Sequence, residues 1–193
     1  MTEADECIHL LDPATCGICS PRPKATSISQ GFRADLTRSM HLIVKWSPER
    51  ESDTADQHRR VAKATGATWW GCDSIDPSRR AAPERIVQLR GQLAAGVDTH
   101  AYVYRSGAAT QAEAEVWLTD VCDVTDDEVE VEREHRPRGM PLESSFLFVK
   151  LKDFRPFKGD LLEELDLWDP TKTLQAGSLG NQTSPLYVCM RGE

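Results

Sequence analysis

The chain has 193 residues, of which 39% are hydrophobic and 28% are charged, and its formal net charge is −8. This length suits one domain with or without a small appendage, and no apolar run approaches the roughly 20 residues of a membrane-spanning helix. The acidic balance argues against a protein that coats nucleic acid through bulk electrostatics, because phosphate binding needs concentrated Lys and Arg. The N-terminus lacks the basic and apolar regions of a secretory signal, which predicts a cytoplasmic protein that is not bound to a membrane.

The first 23 residues carry the densest cluster of metal-binding residue types. They contain Cys7, His9, Cys16 and Cys19 before the stiff sequence Ser-Pro-Arg-Pro at 20–23. Zn²⁺ takes four nitrogen or sulfur ligands, and C-x-x-C is a good bidentate unit, so the spacing predicts a structural zinc site in an N-terminal segment, residues 1–23. The alternative is an ordered arm with reduced thiols. The remainder, residues 24–193, is expected to be a separate domain.

The next elements alternate between strand-like and helix-like patterns. The apolar sequence HLIVKW at 41–46 predicts a buried strand that stops at Ser47-Pro48. Residues 54–65 combine a Thr N-cap with good helix formers, and Gly66 is a typical helix stop. A second strand is expected over residues 68–72.

The rest of the chain predicts one long helix, a hairpin and several short elements. The expected helices are residues 80–95 and 161–167, and the expected strands are residues 102–104, 115–123, 145–151 and 185–190. About six strands and two or three helices in this order indicate an α+β fold, with a curved sheet or small barrel flanked by helices.

The remaining cysteines, Cys72, Cys122 and Cys189, lie in apolar strand-like segments, where a free Cys usually packs as a small hydrophobe. The usual sequence motifs of hydrolases, nucleotide-binding loops and zinc proteases are absent from the sequence. The chain is therefore expected not to be an enzyme. A rival hypothesis is a nuclease or base-modifying hydrolase that uses Cys72 or Asp73 with a histidine in the same cleft.

Five tryptophans are the most unusual feature of the composition: Trp46, Trp69, Trp70, Trp117 and Trp168. Pairing of the first two predicted strands would bring Trp46 near the Trp69-Trp70 pair. Successive strand side chains point to opposite faces, so one of Trp69 and Trp70 is expected in the core and the other in a cleft. Such an indole can stack on a nucleic-acid base, including one flipped out of the helix. The alternative is that all five tryptophans are core residues.

The order HLIVKWSPE, then a helix containing DQHRRVAKATG, then ATWWGCDS resembles the opening of YTH domains and of the related EVE domains. EVWLTDV and SSFLFVKLKDFRPF also resemble later strands of these families, over residues 41 to about 190. Both belong to the PUA-like superfamily, and the resemblance implies a curved sheet or barrel that binds a modified base in an aromatic cage.

The resemblance also suggests which residues form the cage. Trp70 matches a cage tryptophan, and Lys45, Trp46 and Ser47 match the segment that borders the pocket, with Trp117 or Tyr102 as a further wall. After Trp70 the sequence departs from the YTH pattern, because Cys72, Asp73 and Ser74 stand where the family has small Ser/Thr residues.

Asp73 suggests a cytosine derivative, because a carboxylate accepts a hydrogen bond from an exocyclic amine and rejects bases that lack this donor. The alternative is that Asp73 or Ser74 caps a helix over residues 76–81. Phosphate-positioning contacts are expected from seven basic residues, namely Arg59, Arg60, Arg79, Arg80, Lys150, Lys152 and Arg155. The acidic run 120–134 is expected to be a solvated hairpin tip that faces away from nucleic acid.

These observations predict a DNA-binding reader that flips a modified base, 5-methylcytosine above all, into a tryptophan-lined cage. The resemblance implies a role as the recognition part of modification-dependent restriction, with an HNH or McrB-type nuclease as partner or as a further domain. Two alternatives stay open: an RNA-binding reader of a methylated base, and a protein-interaction module in which the tryptophans are core residues and the zinc segment is the interaction surface.

Overall fold

The computed structural model describes residues 33–50, 52–74, 80–123, 131–140, 142–181 and 185–193. Their strands are β1 (His41–Trp46), β2 (Thr68–Asp73), β3 (His100–Arg105), β4 (Ala114–Asp123), β5 (Ser145–Arg155), β6 (Leu165–Leu167) and β7 (Leu186–Met190). Their helices are α1 (Thr54–Thr65), α2 (Pro83–Ala94), α3 (Leu161–Glu164) and α4 (Ala176–Asn181), with a 3₁₀ turn at Arg133–His135. None of these helices is long and apolar enough to cross a membrane.

The seven strands form one mixed sheet in the order β2-β5-β4-β3-β1-β7-β6. Strands β1 and β3 are parallel, and the other neighbouring pairs are antiparallel. The sheet is not closed into a barrel, since β2 and β6 are its two edges. The α+β class and the sheet flanked by helices are therefore confirmed.

The first half of the chain folds as its local sequence predicts. The bounds of β1 and α1 match the prediction, but the N-cap of α1 is Asp53 and not Thr54, which is the first helical residue. Helix α1 ends at Gly66, whose φ of 90° is the left-handed conformation that glycine adopts readily. The predicted hairpin forms as the β3–β4 pair. Helix α2 begins three residues later than predicted, at Pro83, because proline is favoured in the first helical turn.

The C-terminal third differs from the prediction. The predicted helix over 161–167 stops at Glu164, and Leu165–Leu167 is a strand instead, because its two leucines alternate with Asp166 and pair with β7. Strand β5 runs on to Arg155, beyond the predicted end at Leu151. Helix α4 was not predicted.

One face of the sheet carries the main core. Helices α1 and α2 pack on this face through Ala55, Ile86 and Leu89, against alternate residues of the strands. Trp70 belongs to this core, and Trp46 packs against it from the end of β1.

The opposite face carries two smaller clusters, one at each end. The first surrounds Tyr102 and joins β1 and β3 to β6, β7, α3 and α4. The second consists of Trp69, Val131 and Phe148, with Cys122, Met140 and Leu142 packed against it. Between the two clusters this face carries polar and aromatic side chains of β3, β4 and β5.

Helix α2 is tied to the residue before β1 by a buried amide network. The Gln92 side chain accepts a hydrogen bond from the Met40 backbone N–H at 2.8 Å and donates one to the Met40 carbonyl at 2.9 Å. It also accepts a hydrogen bond from Gln88 and donates one to Thr99. The Gln92 amide thus satisfies both backbone polar groups of Met40, which is fully buried. These hydrogen bonds fix the position of α2 relative to β1.

Candidate nucleic-acid interface

Trp117 lies in the middle of the polar stretch on the second face. It pairs with His100 of β3 and with Lys152 of β5, and it is half-buried. The His100 ring lies 4.6 Å from the indole centroid, and the Arg155 guanidinium lies 4.3 Å from it. A partly exposed indole with a guanidinium over its face, on a sheet surface, is an arrangement on which exposed bases can stack.

Two β-bulges bracket the Trp117–Lys152 pair. On β5 the register shifts between Lys152 and Arg155, and Asp153 has a φ of 54°. The extra residue lets Phe154 pack towards the main core and turns Arg155 onto the face of Trp117. On β4 a second shift falls between Leu118 and Asp120. The β5 bulge therefore places Arg155 over the indole, where regular alternation would direct it to the other face.

Lys150 extends the basic row towards β2. It pairs with Trp69 in the β2–β5 ladder, and its ammonium lies 5.5 Å from the Trp69 ring centroid. Its ammonium donates to Glu132 at 2.7 Å, and the Trp69 indole N–H donates to the same carboxylate. These hydrogen bonds, that of Lys150 first, lower the pKa of Glu132 from 4.5 to about 2. The Lys150 ammonium is thus ion-paired with Glu132, and the Lys150 side chain is only 17% exposed.

A pair of histidines lies beside Trp117. His100 contacts the Glu115 carboxylate through Nδ1 at 2.6 Å, and its backbone N–H donates to Nδ1 of His41 at 3.1 Å. Burial and the neighbouring His100 lower the pKa of His41 to about 4, so His41 is neutral at pH 7. Nε2 of His100 is buried and has no hydrogen-bond partner among the described residues.

Trp69 and Trp70 are both buried, each with 2% of its surface exposed. They face opposite sides of β2: Trp70 packs in the main core with its ring 4.4 Å from that of His58, and Trp69 packs in the cluster that holds Val131, Met140 and Leu142. The sequence predicted that one of the two would line a cleft, whereas the structure covers both.

The residues expected to border the cage lie apart in the sheet. Strand β1 does not pair with β2, and three strands separate them, so Trp46 and Trp70 are not cross-strand neighbours. The Trp46 indole donates to Glu113 at 3.2 Å, Lys45 on the other face donates to the Leu179 carbonyl, and the Ser47 carbonyl closes a turn with Arg50. Tyr102 is 1% exposed and packs edge-on against Phe157 in the second-face cluster.

The segment after Trp70 lies at the exposed edge of the sheet. Cys72 is buried at 1% exposure, on the core face. Asp73 is half-buried, and its carboxylate accepts a hydrogen bond from the Ser145 hydroxyl. The Ser74 backbone N–H donates to the Ser144 carbonyl at 2.9 Å. Asp73 thus stands at the end of β2 with one oxygen already engaged.

The expected phosphate contacts separate into three groups. Arg59 and Arg60 are ion-paired with Asp56 and Asp53 on their own helix and its cap. Lys150, Lys152 and Arg155 come together on the second face with Trp117. Arg80 is exposed before α2, and Arg79 lies outside the described residues.

The predicted zinc ligands Cys7, His9, Cys16 and Cys19 also lie outside the described residues. Within the described part of the chain, no group of three or more His, Cys, Asp or Glu side chains is arranged to hold a metal ion. The zinc site therefore stays a prediction.

Sequence reasoning missed three arginines in the β4–β5 connection. Arg133, Arg136 and Arg138 line a cavity of about 510 Å³, together with Pro137, Gly139 and Met140. Their signal is the sequence REHRPRG at 133–139, which holds three arginines in six positions. The acidic run 120–134 overlaps the start of this sequence. Because we expected that run to face away from nucleic acid, the arginines beside it were not predicted to bind.

No known protein family and no characterised protein sequence matches this chain. The similarity to YTH and EVE domains therefore rests on the short sequences quoted above and stays a prediction.

Proposed function

We propose that this chain is a nucleic-acid-binding module that reads a modified base in DNA, with 5-methylcytosine as the leading candidate. The observation that carries the proposal is Trp117, which is half-exposed on a sheet face with Arg155 at 4.3 Å and Lys152 directly opposite in the ladder. The indole supplies a stacking surface, and the cations supply contacts to the strand that passes over it.

Asp73 and the neighbouring backbone at the end of β2 form the second part of the proposal. A carboxylate at the half-buried edge of the sheet accepts a hydrogen bond from the exocyclic amine of cytosine. Trp70 lies three residues before Asp73 on the same strand and packs in the main core. In this proposal Trp70 supports the strand that carries Asp73, and Trp117 stacks on nucleic acid at the surface.

The proposed context is modification-dependent restriction, in which this chain recognises the base and an HNH or McrB-type nuclease cuts the DNA. The resemblance to EVE-like readers suggests this role. An N-terminal zinc segment formed by residues 1–23 is part of the same proposal.

Binding to matched duplexes tests the function. The duplexes differ only in one base, which is 5-methylcytosine, 6-methyladenine or unmodified, and the salt concentration is fixed because affinity for nucleic acid depends on it. Burial of one methyl group is worth about 0.8 kcal/mol, so a preference of about fourfold for the methylcytosine duplex is expected. Equal affinity for all three duplexes would refute the reader proposal. A preference seen only with single-stranded methylated RNA would favour the RNA-binding alternative.

A protein-interaction module is the second candidate, and one observation favours it. Trp69 and Trp70 are both 2% exposed, as core tryptophans would be. This candidate predicts that wild-type protein binds none of the duplexes or the RNA, while Trp70→Ala unfolds the chain. Nucleic-acid binding that depends on Trp117 contradicts it.

A further inference from the structure

We propose that the cavity lined by Arg133, Arg136 and Arg138 binds the phosphate backbone of duplex DNA beside the proposed base-reading surface. We name the described connection between β4 and β5 that carries them, residues 131–140, the arginine loop. The inference rests on the proposed function for its ligand, and it assigns the backbone contacts to a segment that the sequence analysis did not consider.

The guanidinium groups of the arginine loop have no protein partners in the part of the chain that the structure describes. Among the described residues, none forms a hydrogen bond or an ion pair with the side chains of Arg133, Arg136 and Arg138. By contrast, Arg59, Arg60, Arg105 and Arg191 all have acidic partners. Three cations held within six residues repel one another, so an anion bound between them stabilises the arrangement. The planar fork of arginine matches the oxygens of a phosphate.

The loop is fixed at both ends. Val131 is buried against Trp69 and Phe148, and Met140 packs on the same cluster. Pro137 is buried in the middle, and the His135 ring contacts the Thr65 hydroxyl of α1 at 3.0 Å. A positive φ of 79° at Gly139 turns the chain back towards β5. The arginines therefore project from an anchored backbone, which lowers the entropy that binding has to overcome.

The acids of the arginine loop do not fill the cavity. The Glu132 carboxylate is held by Lys150 and by the Trp69 indole, and neither Glu132 nor Glu134 lines the cavity. At about 510 Å³ the cavity is larger than a single phosphate requires and falls within the range of ligand-binding sites. Pro137 and Met140 supply an apolar wall against which a sugar can pack.

The arginine loop continues the surface that carries Trp117. Its Glu132 is bound to Lys150, which lies two residues from Lys152 on the same face of β5, and Lys152 pairs with Trp117. Two residues along a strand span about 7 Å, close to the spacing of phosphates along one DNA strand. In this proposal one backbone runs from Arg155 and Lys152 to the arginine loop, past the ion pair of Lys150 and Glu132.

The test compares two triple variants of the full chain with wild type on unmodified and 5-methylcytosine duplexes, between 50 and 200 mM salt. R133A/R136A/R138A removes the three unpartnered cations. R105A/K172A/R191A is the matched control, because it removes the same charge from three cations that are paired with Glu113, Asp169 and Asp166. Thermal unfolding of each variant checks that it is folded.

Loss of three phosphate contacts lowers the salt slope of binding by about 2.7, at about 0.9 for each contact. Over this range of salt, the affinity of R133A/R136A/R138A is therefore expected to fall about 40-fold less than that of wild type, while the control retains the wild-type slope. The inference is overturned if the arginine-loop variant keeps the wild-type slope, if the control loses as much slope, or if wild type binds neither duplex. A different result would refute the reader proposal alone: wild type binds both duplexes with equal affinity, and R133A/R136A/R138A binds both more weakly than wild type.

Discussion

Replacing Trp117 with alanine is expected to weaken DNA binding strongly while changing stability little. Stacking of one base on an aromatic side chain is worth about 1–3 kcal/mol by alanine substitution, so affinity should fall about 5- to 150-fold. The half-buried indole also loses its stack with Arg155, which is worth about 0.5–1 kcal/mol at an exposed site. The indole also loses its contact with the His100 ring and the burial of about half its surface, and the total is expected to stay below the roughly 3–5 kcal/mol that truncation of a fully buried tryptophan costs.

Trp168 offers a matched control, because it is also half-buried and Arg38 stacks on it at the same 4.3 Å. W117A and W168A therefore each remove a half-buried indole with an arginine over its face, one on the proposed surface and one that packs against the main core. Fluorescence anisotropy with labelled duplex DNA at fixed salt measures affinity, and urea unfolding measures stability. Equal loss of affinity in the two variants, or wild-type affinity in W117A, would refute the assignment of Trp117 as the stacking residue.

Three further outcomes follow from the packing and electrostatics. Gln92→Leu leaves the buried N–H and carbonyl of Met40 without their hydrogen-bond partner, at a cost of about 1–3 kcal/mol each. Urea unfolding should therefore show a free energy of unfolding that is lower by about 2–6 kcal/mol, and an unchanged value would contradict the role of Gln92. Trp70→Ala should lower the free energy of unfolding by about 3–5 kcal/mol, and wild-type stability would contradict its place in the core. The pKa of Glu132 is lowered from 4.5 to about 2, so its stabilising contribution is complete above pH 4.5 and is lost as the pH falls towards 2. The urea midpoint of wild type should therefore fall more between pH 6 and pH 3 than that of Glu132→Gln, and parallel losses would show that the bond to Lys150 contributes nothing.

Local patterns were sufficient for elements whose signals lie within a few residues. The apolar run of β1, the capped helix α1 and the β3–β4 hairpin are each specified by neighbouring side chains, and all three were predicted. The prediction for β6 was wrong because the seven residues LLEELDL fit both the helical and the strand periodicity. Only pairing with β7 selects the strand. The strand order was not accessible, since β1 joins β3 and β7 from distant parts of the chain.

The candidate site shows the same division. Composition singled out the tryptophans and the basic residues of β5, and the structure brings Trp117, Lys152 and Arg155 together. Which tryptophans are buried depends on long-range packing. Trp69 is buried in a cluster with Val131, Met140 and Leu142, and the local sequence around Trp69 does not predict these contacts. The sequence did not indicate the arginine loop as a binding site, because net charge does not distinguish a carboxylate that faces solvent from one that is ion-paired with a lysine, as Glu132 is.

The bulge at Asp153 makes the number of residues in β5 matter as much as their identity. Leu151 and Phe154 both face the main core, although three positions separate them, and Lys152 and Arg155 show the same odd spacing on the other face. Asp153 is the extra residue, so its deletion would restore strict alternation and leave Phe154 on the core face and Arg155 over Trp117. With no residue or with two residues between Lys152 and Phe154, regular alternation alone keeps both side chains on these faces, whereas one residue requires the bulge. In chains of this architecture, the number of residues after the second lysine of β5 thus indicates whether a bulge is needed to keep a cation above the tryptophan.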